Sequence, residues 1–302
     1  VHMIRKHPLL TPRAWFPKRP VETRCPCCGE EDTHRVSKWF YCYHRCRQCR
    51  GIFVWPRPLP GDTGERLETV VDETVRIAFE EVDFNNLQGY VDRVLHAAQA
   101  HALGAGGADR MRFLDYGCGF GRVVAAAKQA GFRVVHGYDP SRAMVTLARQ
   151  AVPDPGVMFT HHTDDLLKKY DLIVCEDVIE HCLEPIPLLA SLFSRLAPGG
   201  VLLLSTPVIS GLSGRLLGQS WWVAGPADHL QLYMAPALAH ATRNVGFEIV
   251  NMVTDCLIPW FESQQSSALG RLSQRVWHHL NLRVQKRKGL TGDNLVMRLR
   301  RP

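Results

Sequence analysis

The sequence predicts an α/β protein: a doubly wound, mostly parallel sheet of seven strands, with a small ribbon ahead of it. Three observations carry this. A short apolar run at 112–116 passes through glycines at 117, 119 and 121 straight into a stretch of helical composition, 122–130. From there strand-like and helix-like runs alternate with short turns, the order that lays helices on both faces of a parallel sheet. Upstream, Cys25-Pro-Cys-Cys28 and Cys46-Arg-Gln-Cys49 form two C-x-x-C pairs with 17 residues between them.

Length and composition set the frame. With 302 residues and 46% hydrophobic content there is enough chain for one large core and something smaller. The net charge of +7 suits nucleic acid, an anionic lipid surface or an acidic substrate alike. No apolar run reaches the roughly 18 residues of a spanning helix, and no secretory core opens the chain, so a cytoplasmic location is expected. Ten cysteines in such a chain argue for thiols and metal over disulfides. Residues 1–3 read as a remnant of tag removal, and 1–24, rich in Pro, Arg and Lys, as an extended arm.

The two knuckles predict zinc at Cys25, Cys28, Cys46 and Cys49, since each tight turn aims two thiolates at one tetrahedral ion. A redox reading suits one C-x-x-C and leaves the second without a purpose. Residues 35–43 alternate as ribbon strands should, and Cys27 and Cys42 fall outside the four-ligand pattern. Four thiolates leave no open coordination position, so the ion acts as a folding staple for residues 25–58. From 59 to 107 the composition turns helical, at 67–81 and 90–103, and closes on a Gly-Ala-Gly-Gly loop.

The glycine loop is the chemical centre. Its strand–glycine–helix passage leaves N–H groups and bare main chain facing outward, against which a flat or extended cofactor can lie. A dinucleotide fingerprint requires G-x-G-x-x-G; here Arg122 holds the third place and the glycine comes one residue early. Asp115, two residues before Gly117, would repel a pyrophosphate and attract a cationic amino-acid end. Asp139 closes a second strand, 133–138, where an acid receives ribose hydroxyls; capping helix 141–150 is the competing role. Asp164, beside Asp165, follows a third strand at 157–160. The fourth, 170–175, is apolar enough for burial on both faces. At its carboxyl end, where open α/β sheets place ligands, lies Cys175-Glu-Asp-Val-Ile-Glu-His-Cys182.

Helix 187–196 and the Ala197-Pro-Gly-Gly200 turn lead to a fifth strand, 201–205. Residues 207–218 carry four glycines or prolines and read as a mobile cover. Trp221-Trp222 and Ala227-Asp-His229-Leu-Gln-Leu-Tyr233 follow, then strands at 247–253 and 294–299. Between them, Leu272, Val276, Leu280 and Val284 make one apolar helical stripe among Arg271, Arg275, Arg283, Lys286, Arg287 and Lys288. Either this basic insert, 256–290, touches an anionic inner-membrane surface through 271–288, or it packs on its own domain with a solvated basic face.

The D-x-G-x-G-x-G pattern at 115–121 resembles motif I of the class I S-adenosylmethionine-dependent methyltransferases, which have a Rossmann-like fold, and the resemblance runs over roughly residues 110–302. The knuckles and Gly51-Ile-Phe-Val-Trp-Pro-Arg-Pro58 resemble a bacterial small-molecule and glycan methyltransferase group with an N-terminal zinc ribbon. Trp221-Trp222, Asp228-His-Leu-Gln-Leu-Tyr233 and Gly246-Phe-Glu248 continue the likeness. It implies S-adenosylmethionine seated by Asp115, Gly117, Cys118, Gly119, Gly121 and Glu176, its ribose on Asp139 and its adenine on Asp164. It implies a domain at 108–302, helices of 59–107 as a lid with Tyr90 and Arg93 near the methionine carboxylate, and Glu180-His181 beside the transferred methyl.

His229 or His181 then serves as general base for an oxygen or carbon acceptor. Alternatively, Asp177, Glu180 and His181 hold a divalent cation, as in the related quinone O-methyltransferases, or fix their loop. The tryptophans either wall the acceptor pocket or pack as core. The implied acceptor is a small molecule, a glycan or a lipid-linked molecule. Two rivals stand beside this. An RNA or DNA methyltransferase, or a nucleic-acid-binding module, lacks here the interleaved aromatics and Lys/Arg such a ribbon needs, and an N-P-P-Y-type element. A catalytically inactive partner protein would have no need of the intact acid–glycine pattern.

Overall fold

The computed structural model describes residues 24–36, 43–55, 79–80, 82–99, 107–217, 221, 223, 229–255, 290 and 292–302. The expected arm at 1–23, Cys42, most of helix 67–81, the end of helix 90–103, Trp222 and the basic stripe within 256–290 lie outside the described residues. In chain order the strands are β1 (Thr33–Arg35), β2 (Tyr43–Cys46), β3 (Ile52–Val54), β4 (Arg112–Tyr116), β5 (Val134–Tyr138), β6 (Val157–Thr160), β7 (Tyr170–Glu176), β8 (Leu196–Pro207), β9 (Gln231–Leu232), β10 (Glu248–Asp255) and β11 (Asn294–Arg300). The helices are α1 (Gln88–Ala98), α2 (Arg122–Gln129), α3 (Arg142–Ala151), α4 (Pro185–Arg195), α5 (Leu212–Leu217) and α6 (Ala235–Val245).

Seven strands form the predicted sheet, in the order β10-β11-β8-β7-β4-β5-β6. Pairing is parallel from β8 through β6 and antiparallel where β11 and β10 complete the edge. The central strand β7 buries its first six residues, Tyr170 to Cys175, as a strand covered on both faces must. At the opposite end from the site, the Asp171 carboxylate accepts from Arg112 N, Nε and Nη2 at 2.8–2.9 Å and pins β4 to β7. Helix α2 has Gly121 as its N-cap and is followed, as expected, by a left-handed Gly131 (φ 93°). Ser141 caps α3 by accepting from Met144 N.

β4 sends its chain to one side of the sheet, toward β5 and β6, and β7 sends its chain to the other, toward β8. The crevice beyond their carboxyl ends is therefore the switch point of the sheet, the place where such folds bind ligands. Among the described residues no helix is long and apolar enough to cross a membrane.

Two expectations need correction. The 197–200 turn does not precede the fifth strand but bulges within β8: Leu196 already pairs with Tyr170, and Val201 then pairs with Leu172. The expected mobile cover at 207–218 is anchored. The wholly buried Asp293 accepts from Ser213 N at 2.8 Å and from Ser213 Oγ at 2.5 Å, which ties the start of α5 to the segment entering β11. Gly211 marks a close approach and not a hinge, since a β-carbon there would meet Asp293 and the Gly292 carbonyl.

The cysteine ribbon does not stand apart. Its strands share a second sheet, β1-β2-β3-β9, with residues from beyond the fifth strand. Cys25, Cys27, Cys46 and Phe53 belong to one buried cluster with Ile179, Val208 and Tyr233 of the large domain. Trp221 packs as core with Tyr43, Ile52, Val54, Val223 and Leu232, which decides between the two roles read for it.

Candidate active site

The glycine loop closes on itself more tightly than its sequence implies. Gly117 N and Cys118 N both donate to the Tyr138 carbonyl, at 2.7 and 2.8 Å, and Gly119 N donates to Asp139 Oδ2 at 3.0 Å. Those N–H groups face the end of β5, not solvent, because parallel pairing brings the Tyr138 carbonyl beneath the loop. What the loop offers a ligand is bare main chain. Gly117, Gly119 and Gly121 are all left-handed, and a β-carbon on Gly119 would meet nothing within 4 Å.

Three carboxylates surround this surface. Asp115 is buried at the end of β4, and its Oδ2 has no hydrogen-bond partner among the described residues. Burial pushes its carboxyl well above the usual range, and Glu176 and then Asp139 push the same way. A buried carboxylate oxygen left unmatched among acids is a place for a cation. Glu176, at the end of β7, is raised by burial and opposed by Arg93, whose Nη1 lies 3.1 Å from Glu176 Oε1. Arg93 stands over the Tyr90 ring, so α1 brings both predicted lid residues to this rim. Asp139 also accepts from Ser141 N at 2.9 Å, so its two oxygens brace both the glycine loop and the start of α3. Asp164 is exposed on the short Thr163–Asp165 turn, while its neighbour Asp165 is engaged by Thr160 Oγ1 at 2.5 Å. The Cys118 thiol is buried beneath the loop, and burial pushes it up.

Beyond the crevice, Glu180, His181 and His229 converge, with one ligand atom from each within 4.8 Å of the others. The sequence trio was Asp177, Glu180 and His181; here His229 completes the cluster in place of Asp177. The reason lies in the backbone: Asp177 is left-handed (φ 53°) at the exit of β7, and the following turn carries Glu180 inward beneath the 229–233 segment. Glu180 is 1% exposed; Oε2 accepts from Thr206 Oγ1 at 2.8 Å, and Oε1 has no hydrogen-bond partner among the described residues. His181 Nε2 lies 3.9 Å from that Oε1. Burial and then the Asp177 carboxylate push Glu180 up to about 7, against His229 and Thr206, which favour ionisation. His229 Nδ1 sits 2.6 Å from the Val223 carbonyl. A carbonyl only accepts, so Nδ1 carries the proton and the lone pair of the neutral ring is on Nε2. Such a cluster can take a proton or bind a divalent cation.

Thr206 and Val223 carry no expectation from the sequence, and Gln231 and Tyr233 lie in the 228–233 motif without a role of their own. The signal for Thr206 is a pair of hydroxyl residues, Ser205 and Thr206, closing the apolar run 201–204 of β8.

The four predicted ligands Cys25, Cys28, Cys46 and Cys49 cluster as expected. Cys25 Sγ and Cys49 Sγ are 3.5 Å apart, and Cys28 Sγ and Cys46 Sγ 3.6 Å. A tetrahedral zinc with bonds of about 2.3 Å requires sulfur–sulfur edges of about 3.8 Å. Backbone donors Cys49 N to Cys46 Sγ and Gly51 N to Cys49 Sγ, both 3.4 Å, are ready to stabilise thiolates. The residues fit the ion.

The strand order and its crevice are those of the class I S-adenosylmethionine-dependent methyltransferases. Residues 85–252 match the family described as methyltransferase domain, and the chain belongs to that family. Among curated relatives, the ubiquinone biosynthesis O-methyltransferase of Haemophilus ducreyi is 31% identical over 106 residues, 32% of this chain and 44% of its own. The tRNA U34 carboxymethyltransferase of Pseudoalteromonas translucida is 32% identical over 162 residues, 51% of this chain and 50% of its own. The chain thus spans half or less of the length of these relatives. An S-adenosylmethionine-dependent methyltransferase from Mesorhizobium loti matches at a TM-score of 0.50 and 21% identity, over 72% of this chain and 100% of its own, a likeness of fold.

Proposed function

We propose that this chain transfers a methyl group from S-adenosylmethionine to an oxygen or carbon of a small-molecule, sugar or lipid-linked acceptor. The observation that carries the reading is the Asp115 oxygen, buried without a hydrogen-bond partner among the described residues, with Glu176 and Asp139 close by and three left-handed glycines beside it. The donor supplies a methyl already activated on a sulfonium, so the protein's work is alignment and exclusion of water. Asp115 and Glu176 would hold the cationic methionine end, with Gly117, Cys118, Gly119 and Gly121 as the floor. Asp139 would take the ribose and Asp164 the adenine, and Tyr90 and Arg93 would cover the methionine carboxylate. His229 would accept the acceptor's proton at Nε2, with Glu180 and His181 shaping the charge around it. Loss of a proton from a hydroxyl, or from a carbon beside a carbonyl, is what such a base accelerates.

Calorimetry with S-adenosylhomocysteine tests the cofactor half. Asp139→Ala is expected to weaken that binding by about 1–3 kcal/mol, from lost charged hydrogen bonds. An unperturbed affinity removes the ribose role, and no binding by the parent chain removes the whole reading.

The thiolate cluster is read as a structural zinc. Purified protein is expected to carry about one zinc per chain by elemental analysis, and Cys46→Ser to lose it. Zinc-free protein with an ordered ribbon would refute the staple.

The Pseudoalteromonas relative's name gives one specific reason to keep a second reading, an RNA acceptor. Phosphate recognition would show as affinity that falls steeply with salt in filter binding; flat, weak retention excludes it.

A further inference from the structure

The ribbon meets the Glu180 turn through a segment that bonds to both. On one side, β9 pairs with β3, Ile52 opposite Leu232 and Phe53 opposite Gln231, and Val54 N donates to the Leu230 carbonyl at 2.9 Å. On the other side, Leu230 N donates to the Glu180 carbonyl at 2.9 Å. Gln231 Nε2 donates to the carbonyls of Cys182 and Leu183 at 3.1 and 3.4 Å, and Tyr233 Oη donates to that of Ile179 at 3.1 Å. Gln231 and Tyr233 are themselves buried, which for an amide and a phenol demands such partners. Val223, whose carbonyl fixes the His229 ring, is buried among Tyr43, Ile52 and Val54 of the ribbon. A two-residue strand is not stable by itself. Its geometry is inherited from what lies on either side.

We propose that the thiolate ribbon is part of the methyl-transfer site: it sets the ring of His229 through Val223 and the 179–183 turn through β9, with Gln231 and Tyr233 as positioning residues. The inference rests on the methyltransferase reading for its meaning, not for its geometry. The ribbon is thus more than a staple for its own residues. Loss of its metal loosens the acceptor side of the site and leaves the donor side, built on β4 and β5, in place.

Hydrogen exchange read by mass spectrometry, with imidazole resonances of the labelled chain, tests this on the full protein before and after chelation. Metal removal is expected to speed exchange at 179–183 and 229–233 about tenfold or more and to shift the His181 and His229 resonances. Residues 112–138 keep their protection, and S-adenosylhomocysteine keeps its affinity within about threefold. Unchanged exchange at 179–183 while 25–55 opens would overturn the proposal.

Should chelation unfold the whole chain, Tyr233→Phe and Gln231→Ala decide it with the metal in place. Each is expected to speed exchange at 179–183 about threefold to tenfold and to move the His181 resonance, at unchanged metal content. Spectra identical to the parent's would sink the coupling. Failure of the parent to bind S-adenosylhomocysteine would strike the cofactor reading alone.

Discussion

Gly117→Ala destabilises the fold, whereas Gly119→Ala spares the fold and damages cofactor binding. The two glycines lie two residues apart in one loop and are both left-handed, at φ 86° and 49°. Their surroundings differ. A β-carbon on Gly117 would be driven into Val178 Cγ2, on the chain leaving β7, and one on Gly119 would meet nothing within 4 Å among the described residues. At 117, left-handed strain of about 1–2 kcal/mol adds to overpacking of about 1–3 kcal/mol, an expected loss of about 2–5 kcal/mol in denaturant unfolding. At 119 only the strain remains, on the order of 1 kcal/mol. The new methyl there would occupy the bare surface a cofactor lies against, so affinity for S-adenosylhomocysteine should fall by about tenfold or more. Equal stability of the two variants would show that Val178 does not close the back of the crevice, and equal affinity that the ligand does not lie on Gly119.

The edge of the crevice proposed for the donor was legible in the sequence because local rules fix it. A strand end, a glycine spacing and an acid at the end of the next strand are each set within a few residues, and parallel pairing then brings Asp115 and Asp139 to the same edge. Even there the sequence misled in one respect. Main chain turned toward a carbonyl looks the same in letters as main chain turned toward solvent, so the Tyr138 carbonyl under the loop was invisible. The Glu180 cluster and the segments around it depend on contacts far apart in the chain. Thr206 reaches Glu180 across 26 positions, Gln231 reaches Cys182 across 49, and Ser213 meets Asp293 across 80. No periodicity or spacing encodes such pairs. Knuckle spacing found the four thiolates, yet nothing in it revealed that β3 would take a partner from residues 231–232.

Glu180 makes the second large effect a matter of pH. Its ordinary value of 4.5 is pushed up to about 7, mainly by burial and next by Asp177. Between those values the folded chain holds a proton that the unfolded chain has released, so stability declines as pH rises through that window. The penalty is absent below about 4.5 and complete above about 7, where it approaches about 3 kcal/mol. In Glu180→Gln that proton equilibrium is gone. Urea unfolding at pH 5 and pH 8 should show a parent that loses more stability between them than the variant does; parallel profiles would mean that Glu180 titrates normally. A carboxylate that weakens its own fold above neutrality, with Oε1 lacking a hydrogen bond 3.9 Å from His181 Nε2, is hard to explain by packing. An apolar side chain of similar size would serve the core better. Its place makes sense if the charge is wanted there, beside two imidazoles, when a proton leaves the acceptor or a cation enters.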